Sequence, residues 1–231
     1  MQNIIIATIK EWNIENYFKL KNKYKENYNF HLITDKDELT IDNIKEINPK
    51  YIFFPHWSWI IKKDIYSNFN CIVFHMTDLP YGRGGSPLQN LIINKVYDTK
   101  ISALKVDGGL DTGDIYLKKD FNISIGSAEE NFIKLSNIIF DKMIPNILAN
   151  NLIPQKQYGK VTTFKRRKPQ DSDILYLKNI NINKLYDFIR MVDADGYPKA
   201  YINLDKIKIE FTEVQLKSKK LIGRFEVIEN V

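Results

Sequence analysis

His75 closes the apolar run CIVFH, and Asp111 stands 36 residues later in the glycine-rich run DGGLDTGDI. An imidazole oriented by a carboxylate is an effective proton shuttle near neutral pH. The chain holds only three histidines, at 31, 56 and 75, and their spacing suggests no metal centre. Plainer readings compete. A histidine at a strand end is often a buried or capping group, and DGGLDTGD also reads as an ordinary turn of Asp and Gly. GRGG at 82–85 invites comparison with a phosphate cradle, but no GKS or GKT follows, so it fails as a P-loop.

Position favours the pair, because ligands of open α/β sheets gather at the carboxyl ends of strands. NIIIATI (3–9), FHLIT (30–34), YIFFP (51–55) and CIVFH (71–75) are continuous apolar runs rich in Ile, Val and Phe. Such runs predict buried parallel strands. ENYFKLKNKYKEN and IDNIKEIN between them carry helical spacing, giving a βαβ series and a Rossmann-like three-layer α/β fold with a mainly parallel sheet. TKISALKV (99–106) and DIYLKKDFNI (114–123) add two strands, and the loop between them carries Asp111. SAEENFIKLSNIIFDKMI opens on a capping box, Ser127 with Glu130, and sets Phe132, Leu135, Ile139 and Met143 on one face of a long helix.

After Ile153 large apolar residues thin out until NINKLYDFIRMV, where Leu185, Phe188, Ile189 and Val192 again carry helical spacing. A turn, DADGYP, and antiparallel strands in AYINLDKIKIEFTEVQL and LIGRFEVI follow. The expected division is a catalytic domain at 1–153, a linker at 154–180 and a small α+β or barrel-like domain at 181–231.

The 231 residues leave room for one full core and a small appendage. Hydrophobic content of 44% and charged content of 27% exclude disordered and fibrous classes. No apolar run approaches the roughly 20 residues of a membrane span, and the start lacks a signal peptide's basic segment. A soluble, cytoplasmic protein with no membrane partner is expected. The single cysteine, Cys71, excludes an internal disulfide and reads as a small buried hydrophobe. The net charge of +6 favours anionic partners, though the lysines are scattered. KRRK (165–168) is the exception, readable as a solvated linker or as a phosphate or carboxylate contact.

HMTDLPYGRGGSPLQNLI resembles the signature H-P-S-L-L-P-x-x-x-G-x-x-P of the folate-dependent formyltransferases, and DGGLDTGDI resembles their D-x-G-x-I loop. The separation of the two also matches that family. FFPHWSWII is similar to its folate-pocket segment, SAEENFIKLSNIIF to its long helix, and LYDFIRMVDADGYPKAYI to its C-terminal Ile-Arg-Ala-Leu and Pro-Gly-Ala-Phe region. The wording is most similar to the sugar N-formyltransferases of surface-glycan pathways, including those of pseudaminic-type nonulosonic acids.

The resemblance implies N10-formyltetrahydrofolate as formyl donor, His75 as the group assisting transfer, and Asp111 as its orienting partner and aid in accepting the proton. It also implies a folate ring lying between Trp57, Ile60 and the loop of Val106, Asp107, Gly108, Leu110 and Asp111, although Trp57 and Trp59 read equally well as core. The family's asparagine two positions before the histidine, which holds the formyl oxygen, is Val73 here. Losing such a donor costs roughly 3–4 kcal/mol unless another replaces it. Asn90, His56, Thr77 and protonated His75 are the replacements the sequence offers.

The expected acceptor is a nucleotide-linked amino sugar, contacted through Arg83, Gly84, Lys165, Arg166 and Arg190, with no nucleic-acid partner and a homodimer as an open option. Methionyl-tRNA formyl transfer is the alternative. It shares the motifs, but that family normally carries a larger C-terminal domain, and the 59 residues after Ser172 leave little room. A catalytically decayed folate-binding protein is the third reading.

Overall fold

The computed structural model describes residues 1–229. The chain divides into two compact units, one built from Met1–Arg83, Thr99–Phe121 and Ile133–Thr163, the other from Gly84–Asp98, Asn122–Phe132 and the chain from Phe164 onward.

The first unit is organised on a sheet of β1 (Gln2–Ala7), β2 (Tyr28–Ile33), β3 (Tyr51–Phe54), β4 (Cys71–His75), β6 (Asp98–Lys105) and β7 (Ile115–Asn122), in the order β2-β1-β3-β4-β6-β7. The first four strands pair in parallel, as their unbroken apolar runs predict. β6 runs antiparallel to β4, a reversal that periodicity does not encode. Ile5, Ala7, Ile52 and Phe54 on one face pack with Ile44 of α2 (Ile41–Ile47) and Ile65 of α3 (Lys63–Tyr66). Alternation turns Ile4, Ile6 and Phe53 to the opposite face. Tyr17 and Leu20 of α1 (Glu11–Tyr24), with Ile139, Phe140, Met143 and Ile147, supply buried apolar surface outside that first cluster. Cys71 is 0% exposed and burial pushes its thiol up to about 12, so it is the inert small hydrophobe expected.

The capping box forms: Ser127 N–H donates to Glu130 Oε2 at 2.8 Å, and Glu130 N–H to Ser127 Oγ at 3.1 Å. Phe132, Leu135, Ile139 and Met143 are all buried. The single long helix expected here is instead α5 (Ala128–Ile138), a π turn (Ile139–Met143) and α6 (Ile144–Asn150). Pro145 explains the break, since it has no N–H to donate and its ring crowds the preceding turn, which widens to accommodate it.

In the second unit, α4 (Pro87–Ile93) and α7 (Ile182–Arg190) accompany an antiparallel sheet of β9 (Ala200–Leu204), β10 (Ile207–Leu216) and β11 (Leu221–Glu229), ordered β11-β10-β9. Phe188, Ile189 and Val192 are buried as their spacing predicts, and Leu185 is half-buried. The β10–β11 register slips between Thr212 and Gln215, where Glu213 adopts a φ of 52°. β11 is largely exposed, including Phe225 at 66% and Val227 at 54%. Two short strands, β5 (Arg83–Gly84) and β8 (Thr163–Phe164), pair with each other. Among the described residues no helix is long and apolar enough to cross a membrane.

Candidate active site

β4 delivers His75 opposite Ser102 of β6, 8% exposed. Its Nε2 lies 2.8 Å from the Gly82 carbonyl oxygen. A carbonyl only accepts, so Nε2 carries the hydrogen and Nδ1 is left facing Asp111. Nδ1 and Asp111 Oδ2 are 3.6 Å apart, within ion-pair reach but longer than a good hydrogen bond. Thr77, fully buried, also donates to Gly82 O at 3.3 Å, and Ser102 Oγ donates to Thr77 O at 2.7 Å. Thr77 therefore braces the same carbonyl that His75 uses.

Asp111 sits at a φ of 53°, a left-handed conformation that Asp and Asn tolerate better than most residues. The loop is closed by Asp107, whose carboxylate accepts from Gly109 N–H at 3.0 Å and from Thr112 Oγ1 at 2.7 Å. Gly113 is required sterically, because a Cβ there would come within 1.7 Å of the Lys105 carbonyl oxygen.

A cavity of about 330 Å³ opens beside this loop. Its walls include Ile60, Val106, Asp107, Gly108, Leu110 and Asp111, together with Trp59, Tyr66, Val73 and Leu104. Six of the seven residues expected to hold the folate ring therefore line one cavity. Trp57 is the exception: it packs on the core cluster, edge-on to Phe54 at 6.0 Å and to Trp59 at 4.8 Å. Trp59 takes the wall position instead. Val73, where the resemblance leads one to expect an asparagine, lies on the wall. A larger cavity of about 830 Å³ in the second unit contains neither His75 nor Asp111, and volume alone marks no chemistry.

None of Asn90, His56 and Thr77 lines the smaller cavity. The Asn90 amide nitrogen has two hydrogens and faces three backbone carbonyls, Gly85 at 3.1 Å, Ser86 at 2.9 Å and Lys165 at 3.1 Å, so its donors are spent on fixing chain. His56 has a φ of 56° and stands edge-on to Trp12 at 6.0 Å. Burial, reinforced by Lys10, lowers its pKa to about 4.

Such a lowered pKa ties stability to pH. The unfolded histidine binds a proton below about pH 6.5 while the folded one does not until about pH 4, so its contribution is fully present above 6.5 and is lost as pH falls toward 4. The loss amounts to at most about 3 kcal/mol. Urea unfolding at pH 7 and pH 5 should show wild type losing stability relative to His56→Asn, which keeps the left-handed backbone but does not titrate. Equal pH dependence in the two proteins would refute this.

The residues expected to meet an acceptor are dispersed in role. Arg83 donates from Nε (3.1 Å) and Nη2 (2.7 Å) to Gln157 Oε1, whose own amide donates to the carbonyls of Asp111 and Gly113, both at 2.8 Å. Gly84, at a φ of 103°, allows a close approach of backbone, since a Cβ would meet Phe164 O at 2.5 Å. Arg190 is 1% exposed and bonds Asp187 at 2.7 Å and the carbonyls of Ile123 and Gly126, both at 3.0 Å. A phosphate cannot reach it there, which corrects the expectation for that residue. Lys165 and Arg166 are exposed. Gln157 escapes sequence reading, because a glutamine bonded to backbone leaves no pattern in composition or spacing.

A family model described as the methionyl-tRNA formyltransferase C-terminal domain matches residues 169–228. A solved structure named as methionyl-tRNA formyltransferase from Clostridium thermocellum is 54% identical, with a TM-score of 0.96 and coverage of 100% of both chains. The Campylobacter jejuni methionyl-tRNA formyltransferase is 32% identical over 146 residues, 62% of this chain and 48% of that protein. The chain thus spans about half the length of the curated relatives it matches. A sugar N-formyltransferase structure from a Shewanella species is 17% identical with a TM-score of 0.72, covering 92% of this chain and 97% of that one, a likeness that speaks for the fold alone. These findings overturn the expectation of a nucleotide-linked amino sugar as acceptor and of no nucleic-acid partner. The segment expected to be too short for the tRNA alternative is matched by that family's C-terminal model over residues 169–228.

Proposed function

This chain belongs to the formyltransferase family, and from that premise we propose that it moves the formyl group of N10-formyltetrahydrofolate to the amine of methionyl-tRNA. The observation that supports the donor is the cavity of about 330 Å³ whose wall includes Asp111, with the His75 imidazole behind that carboxylate at 3.6 Å, and the acceptor rests on the likeness to methionyl-tRNA formyltransferases. Its volume and its lining suit one face and edge of a flat heterocycle, with Trp59, Ile60 and Val106 as apolar wall and the Asp107–Asp111 stretch as polar edge.

When bound, N10-formyltetrahydrofolate supplies the formyl carbon, and its N10 is the leaving group. The attacking amine must be neutral. Asp111 and His75 together take the proton it sheds as the new C–N bond forms, and return a proton to the departing N10 as the old bond breaks. The hydrogen on His75 Nε2 is held by Gly82 O, so the exchangeable position of the pair is the Nδ1 side facing Asp111. Val73 offers no hydrogen bond to the formyl oxygen, and both His75 nitrogens are committed elsewhere, Nε2 to Gly82 O and Nδ1 toward Asp111. Exposed Lys165 and Arg166 suit phosphate contacts with the tRNA.

The test is formylation of charged initiator tRNA in the presence of N10-formyltetrahydrofolate, read as formylmethionine released from the tRNA and as tetrahydrofolate formed in equal amount. Absence of formylmethionine while the folded protein is saturated with both substrates would reject the reading.

A further inference from the structure

His75 and Asp111 are held from outside by one stretch of chain. Gln157 donates to the Asp111 and Gly113 carbonyls, and so grips the acidic loop on either side of Thr112. Five residues on, Thr162 Oγ1 accepts from Gly82 N–H at 2.6 Å, and Thr162 N–H donates to Pro80 O at 3.2 Å. Gly82 is the residue whose carbonyl receives His75 Nε2. The same stretch thus fixes the acceptor on one side of the imidazole and the carboxylate-bearing loop on the other. Arg83 ties the two grips together, since its side chain bonds Gln157 Oε1 while its backbone N–H donates to Thr162 O at 3.0 Å.

Packing does not account for this stretch. Tyr158 is 97% exposed and Val161 52%, so its large side chains face solvent while Gln157 and Thr162 make the inward bonds. A segment retained for core burial shows the opposite pattern. Its upstream end is anchored by the paired bonds between Ile115 and Gln155, at 2.7 and 2.8 Å.

We propose that Gln157–Thr162 is a positioning clasp for the His75–Asp111 pair, with Gln157 and Thr162 setting the separation and facing of the two groups without touching substrate. Small displacements of a reacting constellation are costly, and residues that lock it act through geometry alone. The kinetic part of the claim rests on the proposed formyl transfer, while the part concerning the imidazole does not.

Two substitutions isolate the clasp. Gln157→Glu keeps an oxygen for Arg83 but loses both donors to the loop. Thr162→Val removes the acceptor for Gly82 N–H, and Thr162→Ser retains it. The expected result is a fall in kcat of about 10-fold for Gln157→Glu and Thr162→Val with KM for the folate donor within about 2-fold, and recovery in Thr162→Ser. Independently of any acceptor, long-range proton–nitrogen NMR of the His75 ring should show its nitrogen shifts moved in the first two variants and restored in the third. Failure of wild type to formylate methionyl-tRNA would count against the proposed function, and the ring shifts would still read the clasp. Unmoved His75 shifts in both Gln157→Glu and Thr162→Val overturn the clasp whatever the rates. Impairment of Thr162→Ser as deep as that of Thr162→Val overturns it equally.

Discussion

His75→Ala is expected to lower kcat/KM for formyl transfer by about 100-fold or more, the scale of one general acid–base group. Asp111→Asn should cost a similar factor. Asparagine is the informative replacement, because it tolerates the φ of 53° and so removes the charge without disturbing the loop. The double variant should be little worse than the worse single, since groups that act as one unit lose their shared contribution once. Rates at saturating and limiting folate donor check this. Losses that multiply would mean that the 3.6 Å approach of the two side chains is not a working pair.

Arg190→Met should destabilise the protein by about 3–5 kcal/mol, the usual effect of removing one partner from a buried ion pair. Methionine fills similar volume but leaves Asp187, among the described residues, with the Tyr97 hydroxyl at 2.6 Å, and strands the Ile123 and Gly126 carbonyls. The guanidinium also lies over the rings of Tyr97 and Tyr186, at 5.8 and 5.2 Å, contacts that a lysine reproduces poorly. Arg190→Lys should therefore recover only part of the loss. Urea unfolding measures both, and a change below about 1 kcal/mol in Arg190→Met would show that the residue is not a structural anchor.

The parallel core was legible because Ile4 to Ala7, Ile52 to Phe54 and Cys71 to Ile72 are buried on both sheet faces and so read as unbroken apolar runs. The capping box was legible because it is a local reciprocal bond. The D-x-G-like loop was picked out by resemblance, and the structure sets Val106, Asp107, Gly108, Leu110 and Asp111 on one cavity wall. What escaped shares one cause: it depends on partners distant in sequence. The reversal of β6, the neighbour that makes Trp57 core and Trp59 wall, and the Gln157 bonds to Asp111 and Gly113 are all settled by tertiary placement. Arg190 misled for the same reason, since an arginine on a helix carries no mark of whether its charge will be paired inside. The acceptor misled differently: it was inferred from motif wording and C-terminal length, neither of which distinguishes acceptors within a shared catalytic scaffold.

Among the described residues β11 is a sheet edge nine residues long, and Ile222, Phe225, Val227 and Ile228 all lie on it largely exposed. Unpaired backbone of that length with such side chains is a template on which another extended chain can grow. Interleaved charge opposes this, because Arg224, Glu226 and Glu229 break the apolar run along the strand. The bulge between Thr212 and Gln215 also twists the ribbon away from a flat, extendable edge. Salt, which shrinks the reach of these charges to about 3 Å at 1 M, is therefore expected to lower the concentration at which the folded protein self-associates through this edge.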